Sequence, residues 1–167
     1  FFGDTYRLKP IGNVLKEIDN FPVKDFLFND DNIVCHFDYA RELFKQLAKR
    51  DIRWFSQIST VALRKPEILE LAAKAGCFSL VMGIESLNKK TLNGINKGFN
   101  DVKDYEEMFN RMKKVGIIPR PSLMFGIDGD DEHDFDRMIE FLLRTKAGEA
   151  QMFIMTPFPG TEFYDSM

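Results

Sequence analysis

Histidine, cysteine and tryptophan are scarce in this chain, which has two, two and one of them among 167 residues. Two cysteines are too few for a disulfide scaffold, and Cys35 and Cys77 lack CxxC spacing. They are also too few for a four-cysteine zinc site, or for a cubane iron–sulfur cluster held by three thiolates of this chain. His36 and His133 have no H-E-x-x-H partner, and no Ser-His-Asp pattern is present. Zinc-protease and serine-hydrolase chemistry are therefore not indicated.

An excess of positive charge and long apolar runs are absent as well. The formal net charge is -3, which argues against a nucleic-acid partner because duplex binding needs a basic face. No stretch approaches the roughly 18 apolar residues that indicate a membrane span, and no secretory signal is visible. Two cysteines without a signal are most simply reduced thiols, which predicts a cytoplasmic protein.

The remaining composition is that of an ordinary globular protein, with 44% hydrophobic and 29% charged residues, and the length predicts a single domain over 1–167. Helical and strand patterns alternate along it. Helices are predicted at 10–19, at 37–49, from Pro66 to Gly76, from a cap at Asn100 or Asp101 to Gly116, and from a cap at Asp130 or Asp131 onward. Strands are predicted at 25–29, 53–58, 79–84, 122–127 and 151–155. This alternation predicts a parallel α/β sheet, and periodicity leaves open whether the sheet is open or curls into a barrel.

Several of these apolar strands end in a polar cluster. The clusters are Asn29–Asn32, Glu85–Ser86, Asp128–Asp131 and Thr156–Thr161. The carboxyl ends of parallel strands are where barrels and open sheets hold their ligands. The series therefore predicts a ligand site at this edge of the sheet.

Each cluster also has a simpler interpretation. The Asp and Asn side chains of 30–32 suit an ammonium group or a hard cation, but turns and helix caps prefer the same residues. Glu85 can accept hydrogen bonds from two vicinal hydroxyls, as in ribose recognition, or cap the next turn. Residues 128–132 fail the EF-hand pattern because His133 stands where that loop needs glycine. Pro157 and Pro159 indicate a rigid turn or a stiff rim beside a ligand.

Motifs spread in order over nearly the whole chain, about 1–167, resemble the radical S-adenosylmethionine (SAM) superfamily. The resemblance is strongest to the branch whose members often carry an upstream cobalamin-binding domain. The motifs are F-L-F-N-D-D-N, R-W-F-S-Q-I, L-E-L-A-A-K-A-G-C-F-S-L-V-M-G-I-E-S-L-N-K-K-T-L, N-K-G-F-N, M-F-G-I-D-G-D and T-P-F-P-G-T-E-F-Y. The resemblance implies a partial (β/α)₆ TIM-like barrel. It also implies a 4Fe-4S cluster on a CxxxCxxC loop, and reductive cleavage of SAM to a radical that abstracts hydrogen from a substrate.

The resemblance implies a set of cofactor-binding residues in this chain. They are Asp30, Asp31, Asn32, Gln57, Ser59, Glu85, Ser86, Lys97, Gly126 and Asp128. Residues 30–32 fall where the family contacts the SAM amino group, although its usual Gly-Gly-Glu is replaced here. Glu85 falls at the ribose-binding carboxylate, with Ser86 adjacent, and 126–128 fall where backbone atoms meet the adenine. Lys97 is expected to reach the SAM carboxylate, and Gln57 and Ser59 to face the same cavity.

The chain departs from the family in having no CxxxCxxC motif. Phe1-Phe2-Gly3 resembles the stretch that follows those cysteines, so the chain is expected to start downstream of the cluster loop and to lack the first strand. We therefore expect this chain alone to be inactive, with the 4Fe-4S cluster, and in some relatives cobalamin, held only by the full-length protein. The strand at 25–29 is expected to expose an edge through which the chain self-associates.

Two alternatives also fit the sequence. One is a metal-dependent TIM-like hydrolase that uses Asp30, Asp31, Glu85 and Asp128, although it has no well-placed histidine. The other is a non-catalytic partial barrel. In the leading interpretation the substrate is an unknown small molecule, and hydrogen abstraction and methylation-type chemistry are both possible.

Overall fold

Five parallel strands form one curled sheet in the order in which they occur along the chain. The computed structural model describes residues 6–166, so Phe1-Phe2-Gly3 lies outside the described residues. The strands are β1 (Asp25–Leu27), β2 (Arg53–Ile58), β3 (Cys77–Glu85), β4 (Ile118–Phe125) and β5 (Gln151–Ile154). The helices are α1 (Ile11–Asp19), α2 (Phe37–Leu47), α3 (Pro66–Lys74), α4 (Lys89–Gly94), α5 (Tyr105–Lys114), α6 (Asp134–Thr145) and α7 (Glu162–Asp165).

The strand order confirms the parallel α/β prediction and answers the question that periodicity left open. Each strand pairs with the next one in sequence, so the order β1-β2-β3-β4-β5 contains no reversal. A doubly wound open sheet reverses its order at a switch point, whereas a barrel adds each strand beside the last. The sheet therefore has the topology of a partial TIM-like barrel.

The main core lies between the outer face of the sheet and its helices. Trp54 of β2 is fully buried, and its ring centroid lies 5.3 Å from those of Phe28 and of Phe44 on α2. The indole Nε1 donates a hydrogen bond to the Ala75 carbonyl at 2.7 Å, which satisfies its only polar atom. Farther along, Tyr105 and Phe109 of α5 pack against Phe141 of α6. Because the helices pack on the outer face, they do not cover the inner face of the sheet or the carboxyl ends of its strands.

Strand β4 begins earlier than predicted and runs through two prolines. It starts at Ile118 rather than Ser122, so that Pro119 and Pro121 lie inside it. Proline is normally confined to strands with a free edge because it has no N–H to donate. Pairing with β5 begins only at Ser122, so among residues 6–166 β3 is the only strand partner of β4 along the proline segment. The prolines thus remove no hydrogen bond between β4 and β5.

The start of α6 also differs from the prediction. Asp130, one of the two predicted caps, accepts hydrogen bonds from the Ile127 N–H at 3.0 Å and the Thr91 hydroxyl at 3.1 Å. It therefore closes the loop after β4. Asp131, the other, pairs with Arg137, which lowers the pKa of its carboxyl group. The helix begins only at Asp134, whose carboxylate accepts a hydrogen bond from the Asp131 N–H.

None of the helices described within residues 6–166 has the length and apolarity needed to cross a membrane.

Replacing Gly76 with alanine should destabilise the fold. Gly76 joins α3 to β3 with φ +89°, and a Cβ atom there would lie 2.0 Å from the Ile52 carbonyl oxygen. The change combines a left-handed backbone with a clash against main chain, so we expect the free energy of unfolding to fall by about 1–3 kcal/mol. Urea denaturation followed by circular dichroism measures this. Gly12→Ala, in an open position of α1, is the control and should not destabilise. A Gly76→Ala variant as stable as wild type would show that this position does not require glycine.

Candidate functional site

A polar cavity of about 400 Å³ opens at the carboxyl ends of the strands. Side chains of the loops after β1, β2 and β3 form one part of its wall, and inward-facing residues of β2 to β5 form its floor. Its lining residues are Asp31, Asn32, Gln57, Ile58, Ser59, Thr60, Val81, Gly83, Glu85, Lys97, Phe99, Ser122, Gln151 and Phe153. The fold thus brings together six of the predicted site residues, namely Asp31, Asn32, Gln57, Ser59, Glu85 and Lys97.

Glu85 occupies a strained turn at the end of β3. Its φ is +64°, in the left-handed region that residues other than glycine seldom adopt. The Ser86 N–H donates to the Ile84 carbonyl at 2.8 Å, which closes a three-residue turn around Glu85. A γ-turn of this hand is rare and strained. Strained backbone in folded proteins is concentrated at functional sites. The turn therefore indicates that Glu85 is a candidate ligand-binding residue.

The glycine two residues earlier provides the space that the Glu85 side chain occupies. A Cβ atom on Gly83 would lie 2.3 Å from Oε1 of Glu85 and 3.6 Å from Nζ of Lys97. The carboxylate therefore folds back over the strand and lies above Gly83, on the cavity side. The carboxylate can take this position only because Gly83 has no side chain.

Lys97 approaches the same carboxylate from the loop after α4. Its Nζ lies 3.4 Å from Oε1 of Glu85 and 5.7 Å from the centre of the Phe99 ring. The Glu85 side chain is 13% exposed and the Lys97 side chain 38%. The pair therefore combines a nearly buried acceptor with a cation that can still reach solvent or a ligand.

Asn32, which also lines the cavity, links the loop after β1 to the loop after β2. Its Oδ1 accepts hydrogen bonds from the Val34 N–H at 3.3 Å and the Ser59 N–H at 3.2 Å. This oxygen is thus used within the protein, while Asp31 stays exposed at the rim. The turn interpretation of residues 30–32 thus fits Asn32, and the contact of Asp31 with a ligand stays a prediction.

Asp30 lies apart from the cavity. It lines a separate groove of about 320 Å³ between α1, α2 and β1, which also contains Tyr39. Desolvation, together with the neighbouring charge of Asp31, raises the pKa of the Asp30 carboxyl group. The predicted contact of Asp30 with a ligand amino group stays a prediction, and the side chains as placed do not bring it to the shared cavity.

Ser86, Gly126 and Asp128 do not line the cavity either. Ser86 is fully buried, and its hydroxyl accepts a hydrogen bond from the Asn88 N–H at 3.0 Å. Gly126 and Asp128 are exposed just beyond the end of β4, where Gly126 has φ +77°. Their predicted contact with adenine depends on backbone atoms and stays a prediction.

The sequence interpretation missed several contributors to the site. Ser122 and Gln151 face the cavity from β4 and β5, and they are paired in register with each other. The alternation of side chains along a strand indicates both positions, but the predicted strand begins only at Ser122. Another is Asn100, one of the two predicted caps of the next helix. The other, Asp101, makes the cap, because its carboxylate accepts a hydrogen bond from the Lys103 N–H.

The described residues contain no metal centre. Within 6–166, no group of three or more His, Cys, Asp or Glu side chains is placed to hold a metal ion. Cys35 and Cys77 are both free thiols, and burial raises the pKa of Cys77. The thiolates of an iron–sulfur cluster are thus not among these residues, and the hydrolase alternative lacks the grouped carboxylates it requires.

Comparison with known proteins identifies relatives over nearly the whole chain. The family model described as "Radical SAM superfamily" matches residues 2–142. Bacteriochlorophyllide d C-12(1)-methyltransferase of Chlorobaculum tepidum is 34% identical over 172 residues, covering 99% of this chain and 38% of the relative. The C-8(2)-methyltransferase of the same organism is 26% identical over 140 residues, covering 83% of this chain and 31% of the relative. This chain thus spans about a third of the length of these curated relatives.

A solved structure supports the assignment of the fold. The radical S-adenosylmethionine methyltransferase TsrM from Kitasatospora setae, with cobalamin and a 4Fe-4S cluster bound, matches with a TM-score of 0.78. The identity is 16%, and the match covers 87% of this chain and 31% of that one. At this identity the likeness establishes the architecture alone, which confirms the partial TIM-like barrel.

Proposed function

Since this chain belongs to the radical SAM superfamily, we propose that it forms the S-adenosylmethionine-binding part of a methyltransferase that acts on a small molecule. The observation that carries the proposal is the Glu85 carboxylate, held in a strained turn above Gly83 and directed into the cavity. A carboxylate at the end of a strand is a good acceptor for the two hydroxyls of a ribose.

The charges around the cavity fit the rest of the ligand. SAM carries an ammonium group, a carboxylate and two vicinal hydroxyls, and the cavity offers Asp31, Lys97 and Glu85 respectively. In our proposal Glu85 accepts from the ribose hydroxyls and Lys97 turns from Glu85 to the ligand's carboxylate. The backbone at 126–128 lies beside the adenine, and Gln57 and Ser59 complete the wall.

When bound, SAM supplies an electrophilic methyl group and, on one-electron reduction by a 4Fe-4S cluster, a radical that abstracts hydrogen. The residues of this chain bind and orient it and shield it from water on the sheet side. Ligands for the cluster are not among residues 6–166, so we assign the cluster to the whole protein. Cobalamin is a further cofactor of the whole protein in this proposal, in line with its presence in TsrM.

We also propose where the protein acts and how it associates. The free thiols of Cys35 and Cys77 are consistent with the cytoplasm.

Within residues 6–166, β1 pairs with β2 on one side only, and Leu27 on it is half exposed. Exposed strand edges promote pairing between chains, so self-association through β1 is our expectation for this chain.

Turnover of SAM by the whole protein tests the proposal. The protein is reconstituted with iron, sulfide and cobalamin, reduced, and given SAM labelled in its methyl group together with a small-molecule cell extract as the source of the acceptor. Mass spectrometry should detect S-adenosylhomocysteine or 5'-deoxyadenosine, and label in a small-molecule acceptor. Omitting the reductant is the control and should prevent radical products. Complete absence of both products from protein with an intact cluster spectrum would refute the proposal.

Replacing Gly83 with alanine should weaken SAM binding without unfolding the chain. The new methyl group would occupy the position of the Glu85 carboxylate, 2.3 Å from Oε1, and displace it from the cavity. Losing hydrogen bonds to a charged group corresponds to about tenfold weaker binding or more. Isothermal titration with SAM measures this. The control is Gly94→Ala, whose nearest neighbour is 4.0 Å away and which should bind normally. Unchanged affinity in the Gly83→Ala variant would show that the carboxylate is not used.

A further inference from the structure

Buried side chains donate hydrogen bonds to two backbone carbonyl groups at the turn of Glu85. The register between β3 and β4 shifts between Gly83 and Glu85. The Gly83 carbonyl accepts a hydrogen bond from Nδ2 of Asn100 at 3.0 Å, and the Ile84 carbonyl accepts from the same atom at 3.4 Å. The Tyr105 hydroxyl also donates to the Ile84 carbonyl, at 3.2 Å. Burial raises the pKa of Tyr105, so it remains a donor.

Asn100 is fixed on its other side as well. It is 1% exposed, and its Oδ1 accepts a hydrogen bond from the Thr60 hydroxyl, itself buried at the end of the β2 loop. The hydroxyl of Thr60 faces one end of the amide and the two carbonyls face the other. The hydrogen bonds therefore define a single orientation of the amide.

The same residue anchors the loop that carries Lys97. The Asn100 N–H donates to the Lys97 carbonyl at 2.9 Å. The Lys89 Nζ donates to the carbonyls of Gly98 and Asn100, each at 2.7 Å. Asn100 thus contacts the backbone on which Glu85 turns and the backbone from which Lys97 extends.

We propose that Asn100 is a positioning residue, which holds the strained turn so that the Glu85 carboxylate meets the ribose hydroxyls of the ligand. This inference rests on the proposed function, because it deepens the role of the Glu85 site. A positive-φ turn at a residue other than glycine persists only where its surroundings hold it. Without the amide of Asn100, the Gly83 carbonyl loses its side-chain partner, the Ile84 carbonyl keeps only Tyr105, and the turn relaxes toward extended strand. The carboxylate then leaves its place above Gly83.

A pair of ligands separates this positioning role from a general loss of structure. The ligands are SAM and its 2',3'-dideoxy analogue, titrated into the whole reconstituted protein. In wild type, Glu85 should make SAM bind about tenfold or more tightly than the analogue. Asn100→Ala should lose this discrimination while binding the analogue as wild type does. A purely structural defect would weaken both ligands alike.

Two further variants test the same role of Asn100 independently of whether Asn100→Ala folds. Thr60→Val removes the hydroxyl that orients the amide and should reduce the discrimination in the same direction, even if Asn100→Ala fails to fold. Thr145→Val, which removes another buried hydroxyl whose partner is the Phe141 carbonyl at 2.7 Å, is the control and should keep full discrimination.

The possible failures are distinguishable. If wild type does not discriminate between the two ligands, the ribose role of Glu85 fails, and the inference fails with it. If Glu85→Ala abolishes discrimination but folded Asn100→Ala and Thr60→Val retain it, the proposed function stands and the positioning role of Asn100 is overturned.

Discussion

Replacing Glu85 with glutamine should weaken SAM binding by about 10- to 100-fold while leaving the fold intact. Hydrogen bonds to a charged acceptor are worth about 1.5–3 kcal/mol, and each 1.4 kcal/mol is about a factor of ten in affinity. Glutamine has nearly the same shape, so it can remain above Gly83. It has no charge, and only one of its two terminal atoms can accept from the ribose hydroxyls. The substitution also removes the ionic partner of Lys97, which lies 3.4 Å from Oε1.

Isothermal titration of SAM into the variant and wild type measures this effect. The matched control is Glu140→Gln, which makes the same chemical change at an exposed position of α6 and should bind as wild type does. Thermal unfolding of both variants verifies that they are folded. Equal affinity of wild type and a folded Glu85→Gln variant would remove the main support for the proposed site.

Replacing Trp54 with alanine should have the largest effect on stability, lowering the free energy of unfolding by about 3–5 kcal/mol. The side chain is fully buried and packs against Phe28 and Phe44, each with a ring-centroid distance of 5.3 Å. Truncation leaves a cavity between β2 and α2 that these rings cannot fill without moving. It also leaves the Ala75 carbonyl without the indole donor that lies 2.7 Å away.

Urea denaturation monitored by circular dichroism tests this expectation. Phe158→Ala is the matched control, because it removes an aromatic ring that is 70% exposed and should change the stability by less than about 0.5 kcal/mol. A loss below about 1 kcal/mol for Trp54→Ala would show that the core does not depend on this residue.

Elements with a strong local pattern could be predicted well from sequence. The predicted strand 53–58 matches β2 in both boundaries, because Trp54, Phe55 and Ile58 favour strand conformation. Helix α3 starts at Pro66 as predicted, since proline at the first helical position needs no N–H. The start of β4 was misplaced because Pro119 and Pro121 indicate a break, and their tolerance depends on where β5 begins to pair. That information is not local.

The site residues also divide into those that local sequence indicates and those that depend on distant contacts. The carboxylate of Glu85 could be selected from its place at a strand end and from the family resemblance. Its ion pair with Lys97 depends on how the loop after α4 returns over β3, which no local pattern specifies. The role of Asn100 could not be predicted either, because asparagine before a helix indicates a cap. Its actual partners, Gly83, Ile84 and Thr60, are 16 to 40 positions away in the sequence.

A crystal structure of the whole reconstituted protein with S-adenosylhomocysteine bound would test the central claim most directly. Our account predicts that both ribose hydroxyls lie within about 2.5–3.0 Å of the Glu85 carboxylate. It also predicts that Lys97 has left Glu85 for the carboxylate of the ligand. A ligand bound in the same cavity with its ribose away from Glu85, or a ligand bound in the groove between α1 and α2, would contradict the account.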